Sequence, residues 1–180
     1  MQIQIEVRDA THADLPSLLS IYNHAAVNTT SVWTDGPSDL VERQNWFLAR
    51  KNSGFPVLIA EAAQQVVGFA SFGDFRAWPG YRHTVENSVF VDPAFHRRGV
   101  ARALLRPLIA RAIGLEKHVM IAGIEASNDA SLALHRSEGF VEVGRLPEVG
   151  CKFGRWLDLV FLARKLDERT TPDATLQKTN

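Results

Sequence analysis

The run from Val89 to Leu105 constrains this chain more than any other. Val89-Phe90-Val91 reads as the end of a buried strand, Asp92-Pro93 closes it, and Gly99-Val100-Ala101-Arg102-Ala103-Leu104-Leu105 opens with helical spacing. A helix that starts this way presents amide hydrogens with no carbonyl partner, at the positive end of its dipole. That is the physical requirement for holding a phosphate, provided the backbone can be approached closely. Gly99 and Ala101 permit the approach, and Arg97 and Arg98 add cationic donors. The same residues also fit a solvated basic turn whose glycine serves geometry alone.

The rest of the chain reads as alternating strands and helices around that segment. Ile3 to Val7 alternates like a first strand, and Thr11-His12-Ala13-Asp14 has capping-box form ahead of a helix carrying Leu15, Leu18, Leu19, Tyr22 and Ala26. A second helix is expected from Ser38 to Lys51, with Leu40, Trp46 and Phe47 inward. Pro56 to Glu61 and Val66 to Phe72 suit an antiparallel hairpin turning near Gln64. Thr84 to Val91 is a further strand, Gly99 to Leu115 a helix, Lys117 to Glu125 a strand and Asn128 to Ser137 a short helix. The last strands fall around Phe140 to Arg145 and Trp156 to Lys165. Pro107 predicts a kink or break near Ala103, because a helix-interior proline costs about 3 kcal/mol. Residues 1–166 read as one domain, and the polar stretch 167–180 as a disordered tail.

Composition narrows the function classes. Lys plus Arg and Asp plus Glu number 20 each, so no basic excess points to nucleic acid. Cys151 is the single cysteine, which precludes an internal disulfide and suits a reducing, cytoplasmic setting. No run approaches the roughly 18 apolar residues of a membrane span. None of the six histidines lies two to five residues from another, so no metal-ligand pair stands out and no metal is expected.

A second motif follows the first: Asn128-x-x-Ser131-x-x-Leu134-His135-x-x-x-Gly139-Phe140, directly after the strand Met120 to Glu125. Together the two resemble the signatures of the GNAT superfamily of N-acetyltransferases, whose first motif is Gln/Arg-x-x-Gly-x-Gly/Ala. His96 stands where that family has Gln or Arg. Four further segments resemble the phosphinothricin and methionine-sulfoximine acetyltransferase subgroup: Ile21 to His24, Phe72 to Arg76, Arg82 to Val91 and Lys152 to Asp158. The likeness covers roughly Val7 to Leu166.

The resemblance implies an α/β GNAT fold: a strongly twisted mixed sheet of about seven strands, with four or so helices on both faces and two central parallel strands that splay apart. It implies acetyl-CoA as co-substrate, a small amino acid as acceptor and a homodimer. Carried over by position, it puts Val89, Phe90 and Val91 along the pantetheine. Arg97, Arg98, Gly99, Val100, Ala101 and Arg102 would surround the pyrophosphate, with Asn128 and Ser131 beside the pantetheine arm. Arg76, Ala77 and Trp78 match one wall of the acceptor pocket, and Glu86, Asn87 and Ser88 the other. Asn87 departs from a histidine common in the subgroup, and Phe75 from a tryptophan.

Amide formation from a thioester needs a neutral amine, a polarised carbonyl and a proton for the leaving thiolate. Glu86 is the candidate base, directly or through water, or alternatively a counter-ion for the substrate ammonium. His135 is the candidate acid, or a histidine packed for structure. Arg76 offers a fork for a carboxylate, or is a surface arginine. Two other functions stay open at this level: an acetyltransferase for a different amine, and a non-catalytic acyl-CoA-binding module.

Overall fold

Short polar side chains mark where the helices begin in the computed structural model, which describes residues 3–172. Asp39 accepts the Glu42 amide at 2.8 Å and opens α2 (Leu40–Asn52); Asn128 accepts the Ser131 amide at 3.1 Å and opens α4 (Asp129–Ser137). Ahead of α1 (Leu15–Asn28), Asp14 reaches back to the Thr11 amide at 2.7 Å. The Thr11 hydroxyl also donates to Asp14 at 2.9 Å, and the reciprocal Thr11–Asp14 capping box is present. Arg8 grips the same carboxylate at 2.9 Å and, against the effect of burial, holds its pKa down to about 2.

The strands are β1 (Glu6–Asp9), β2 (Val57–Ala62), β3 (Gln65–Asp74), β4 (Thr84–Val91), β5 (Val119–Glu125), β6 (Val141–Lys152) and β7 (Arg155–Lys165). They form one sheet in the order β1-β2-β3-β4-β5-β7-β6, antiparallel throughout except between β4 and β5. The expected mixed seven-stranded sheet is therefore observed. The first strand is displaced from Ile3–Val7 because its register with β2 pairs Glu6 with Glu61 and Asp9 with Leu58.

Each face of the sheet buries its own core. On one, Leu104, Leu105 and Leu108 of α3 (Val100–Gly114) pack with Val67, Phe72, Val85 and Met120. On the other, Leu15, Leu18, Ile21 and Phe47 pack with Ile59 and Phe69. The α3 packing also explains why the helix runs unbroken through Pro107. Burying its leucines at about 2 kcal/mol each outweighs the local cost of the ring. Leu40, expected inward, is 42% exposed, since it lies in the first turn of α2 while Phe47 takes the inner position.

Most of the expected disordered tail, residues 173–180, lies outside the described residues. Its first part is bonded: Asp167 meets His118 Nδ1 at 2.6 Å and Arg169 Nε at 2.7 Å.

Candidate active site

The central parallel pair is joined only at its start. β4 and β5 are in register at Thr84 with Val119, Val85 with Met120 and Glu86 with Ile121, and there the pairing ends. Past that point β4 keeps β3 on one side, through Phe90 with Phe69, while its other edge is open. A cavity of about 620 Å³ fills the gap, a size suited to a cofactor-scale ligand. Its walls are Val89, Phe90 and Val91 on one strand and Ala122 to Glu125 on the other.

The turn after β4 closes one end of this cavity. Asp92 accepts the Ala94 amide at 2.8 Å, and His96 Nε2 meets the Val91 carbonyl at 3.1 Å. Arg97 and Gly99 both take left-handed backbone conformations, φ 60° and 86°, which curl the chain so that α3 begins at Val100 against the cavity. Gly99 is suited to that conformation, whereas Arg97 adopts it at a steric cost. Arg97, Gly99, Val100 and Ala101 line the cavity, so the start of α3 borders it. The residues 18–140 match the model of the acetyltransferase (GNAT) family.

The chain belongs to the GNAT acetyltransferase family.

Full-length relatives agree. The chain is 51% identical over 170 residues to the L-amino acid N-acyltransferase MnaT of Escherichia coli (strain K12), covering 94% of this chain and 99% of that one. It is 48% identical over 168 residues to an L-methionine sulfoximine/L-methionine sulfone acetyltransferase of Salmonella typhimurium, covering 93% and 98%. A solved acetyltransferase from Salmonella typhimurium, determined with acetyl-CoA, superposes with a TM-score of 0.92 at 47% identity, covering 95% of this chain and 99% of that one.

Within this GNAT domain the candidate residues divide into two groups. Val89, Phe90, Val91, Arg97, Gly99, Val100, Ala101, Arg102, Asn128, Ser131, Asn87, Ser88 and His135 all border the cavity. Arg102 borders it with its guanidinium already engaged, by Glu138 at 3.0 Å and Ser137 at 3.0 Å. Arg98 is outside the wall, its guanidinium 5.5 Å from the Phe95 ring centroid. Arg76, Ala77 and Trp78 are likewise outside and exposed, Trp78 at 76%.

Glu86 sits at the hinge between the groups, on the last paired residue of β4. Glycines flank it on both neighbouring strands. Gly73 is its register partner on β3, and a Cβ on Gly123 of β5 would lie 2.8 Å from Glu86 Oε1. Burial pushes the Glu86 carboxyl above the usual glutamate range, while the charge of Arg76 pulls it back. Arg76 is held over the Phe75 ring at 4.1 Å and donates to the Phe75 carbonyl at 2.9 Å.

His135 is only 4% exposed, and burial lowers its pKa. Nδ1 lies 2.9 Å from the Ser131 carbonyl and Nε2 lies 3.1 Å from Asn87 Oδ1. Both ring nitrogens are therefore engaged.

Sequence reading gave no role to the polar loop that joins α1 to α2, from Asn28 to Pro37 and holding Trp33. Thr30 donates to Glu125 at 2.8 Å, Asn128 donates to Ser31 at 3.3 Å, and Trp33 lies against Gly150 so closely that no side chain would fit there. Lys152 donates to the carbonyls of Ala26, Thr29 at 2.7 Å and Val32 at 2.5 Å, which ties the loop to the β6–β7 hairpin. Burial would lift the Glu125 carboxyl, but bonds from Ser127 and Thr30 hold it low. These partners are separated by about a hundred residues, so no local pattern announces them. Gly123 did carry a signal, since a glycine inside a strand marks close approach of another group.

Proposed function

We propose that this acetyltransferase transfers an acetyl group from acetyl-CoA to the α-amino group of small L-amino acids or their analogues, such as methionine sulfoximine, methionine sulfone or phosphinothricin. The observation that carries the reading is the half-buried Glu86 carboxyl on the last pair of the β4–β5 ladder, next in the chain to Asn87 and Ser88 of the cavity wall and flanked by two glycines. A carboxylate with a raised pKa is a better match to an ammonium proton than an ordinary one. The names of the relatives supply the acceptor class.

Acetyl-CoA fits the chain's own residues. The backbone amides at Val100 and Ala101, with Arg97, would hold the pyrophosphate, and the open edge of β4 from Val89 to Val91 would receive the pantetheine amides. Asn128 and Ser131 border the same space. The thioester supplies the acyl group. Glu86 removes the amine proton, directly or through water. The nitrogen attacks the carbonyl carbon, a backbone amide near Val89 or Phe90 steadies the oxyanion, and the C–S bond breaks to give a thiolate that takes a proton. Arg76, with Ala77 and Trp78, would receive the substrate carboxylate end, with Asn87 and Ser88 opposite. Among the described residues no group of His, Cys, Asp and Glu is arranged to hold a metal.

The homodimer belongs to the same proposal. β6 is an edge strand exposed from Val141 to Val149, and Val143, Phe153 and Trp156 are 59%, 58% and 69% exposed on the hairpin it forms. Such an edge is normally covered. A cytoplasmic location is proposed from the single, unpaired Cys151. Among the described residues no helix is long and apolar enough to cross a membrane.

A thiol-release assay tests the function across methionine sulfoximine, methionine sulfone, phosphinothricin, the common amino acids, polyamines and peptides. Release confined to the amino-acid group supports the reading. Release only with polyamines or peptides changes the acceptor, and binding of acetyl-CoA with no release from any amine makes the chain a binding module. Light scattering at twice the chain mass supports the dimer; the mass of one chain overturns it.

A further inference from the structure

Asn87 occupies a position that neither motif explains. It is the first residue of β4 beyond the last pair of the parallel ladder, and it is buried at 8% exposure. Its side-chain amide nitrogen donates at 2.9 Å to the carbonyl of Ile121, the last paired residue of β5. A polar side chain thus stands in where strand pairing stops. Its other end, Oδ1, lies 3.1 Å from His135 Nε2 on α4.

Hydrogen-bond accounting fixes what this contact means. The Ile121 carbonyl only accepts, so the NH₂ of Asn87 must face it, and the amide oxygen is left facing His135. An oxygen acceptor at 3.1 Å calls for a hydrogen on Nε2. Across the ring, Nδ1 is 2.9 Å from a second acceptor, the Ser131 carbonyl, with the Ser131 hydroxyl at 3.5 Å as a weaker neighbour. The Phe140 ring meets the imidazole edge-on at 5.1 Å. Between two acceptors, a ring protonated only on Nδ1 would set a lone pair against Asn87 Oδ1, and one protonated only on Nε2 would set a lone pair against the Ser131 carbonyl, so each acceptor calls for its own hydrogen.

We propose that Asn87 is a positioning residue whose amide oxygen holds a hydrogen on His135 Nε2, on the side where β4 and β5 part. One side chain then sets both the end of the ladder and the orientation of the proton donor. A ring carrying both hydrogens gives the Nε2 proton to the thiolate sulfur and ends neutral, with Nδ1–H still bonded to the Ser131 carbonyl. The electron pair of the broken C–S bond becomes the new S–H bond, so charge and atoms balance. This use of the proton rests on the acetyl-transfer reading; the position of the proton does not.

The test separates the two. Side-chain ¹⁵N–¹H correlation spectra of the unliganded wild-type protein, with the His135 signals identified by their loss in His135→Gln, should show a hydrogen on Nε2. Asn87→Leu removes both contacts and should move the ring to the Nδ1–H form. Asn87→Asp keeps an acceptor toward His135 but loses the donor to Ile121, and should retain the Nε2 hydrogen. In the thiol-release assay Asn87→Leu should lower kcat by about tenfold or more with the acetyl-CoA KM little changed, and Asn87→Asp should recover part of it. An unprotonated Nε2 in the wild type overturns the proposal even if Asn87→Leu cannot be folded, and so does an Asn87→Leu spectrum identical to wild type. If no amine is acetylated by the wild type, the acetyl-transfer reading fails while the spectra still decide the role of Asn87.

Discussion

The two halves of β4 do different work with the same backbone. From Thr84 to Glu86 the strand is bonded on both edges and Val85 is fully buried between them. From Asn87 to Val91 it keeps only β3, and its other edge faces the cavity. The first half satisfies its amides within the fold and contributes stability. The second leaves a strand edge without a β-sheet partner, the kind of edge that a ligand can pair with. Glu86 and Asn87 sit on either side of the change, so under the proposed function the chemistry falls where strand pairing ends.

Four variants probe that division. Glu86→Gln should produce the largest effect, a fall in kcat of about 100-fold or more with acetyl-CoA affinity nearly unchanged. Its folding stability at neutral pH should hold or rise, because a carboxyl whose pKa is raised on folding loses stability as pH climbs from the unfolded value through the folded one. Equal losses of turnover and of cofactor affinity would mean that Glu86 is not confined to the chemical step. Next, Val85→Ala in the paired half should lower the unfolding free energy by about 2 kcal/mol in urea titrations while the acetyl-CoA affinity persists. If that variant loses affinity as well, the halves are not separable.

Gly99→Ala acts on the ligand side alone. Nothing lies within 4 Å of the added methyl, but φ of 86° disfavours a side chain by about 1 kcal/mol. Calorimetry should register roughly fivefold weaker acetyl-CoA binding with turnover at saturation preserved. The smallest effect is a shift in pH dependence. The acid limb of kcat/KM should lie above the ordinary glutamate value of about 4.3, since the base form of Glu86 appears only above its raised pKa. Removing the charge in Arg76→Gln should move that limb higher still, because Arg76 pulls Glu86 down. A limb that moves lower would rule out the Arg76–Glu86 interaction.

Much of this was legible without coordinates because it is local. Strand β4 falls on the expected residues Thr84–Val91, the turn that follows it has Gly99 in the left-handed conformation, and Asn128 caps the helix that it was expected to open. Pairing of Lys152 with the carbonyls of α1 and its following loop was not legible, nor was the contact of Thr30 with Glu125. The continuity of α3 through Pro107 was not legible for the same reason. Its local cost is visible in the sequence, while the burial of Leu104, Leu105 and Leu108 that offsets it is not.

By itself the order of residues determined the run of elements, the two family motifs and the identity of the groups available for chemistry, because capping, periodicity and turn geometry act over a few neighbours. Only the tertiary structure decided where β4 and β5 separate, that Asn87 spans that separation to His135, and that Glu86 is buried enough to raise its pKa. Those outcomes depend on which distant groups exclude water from one another. Solvent exclusion is a property of the packed sheet and helices, and no window along the chain contains it.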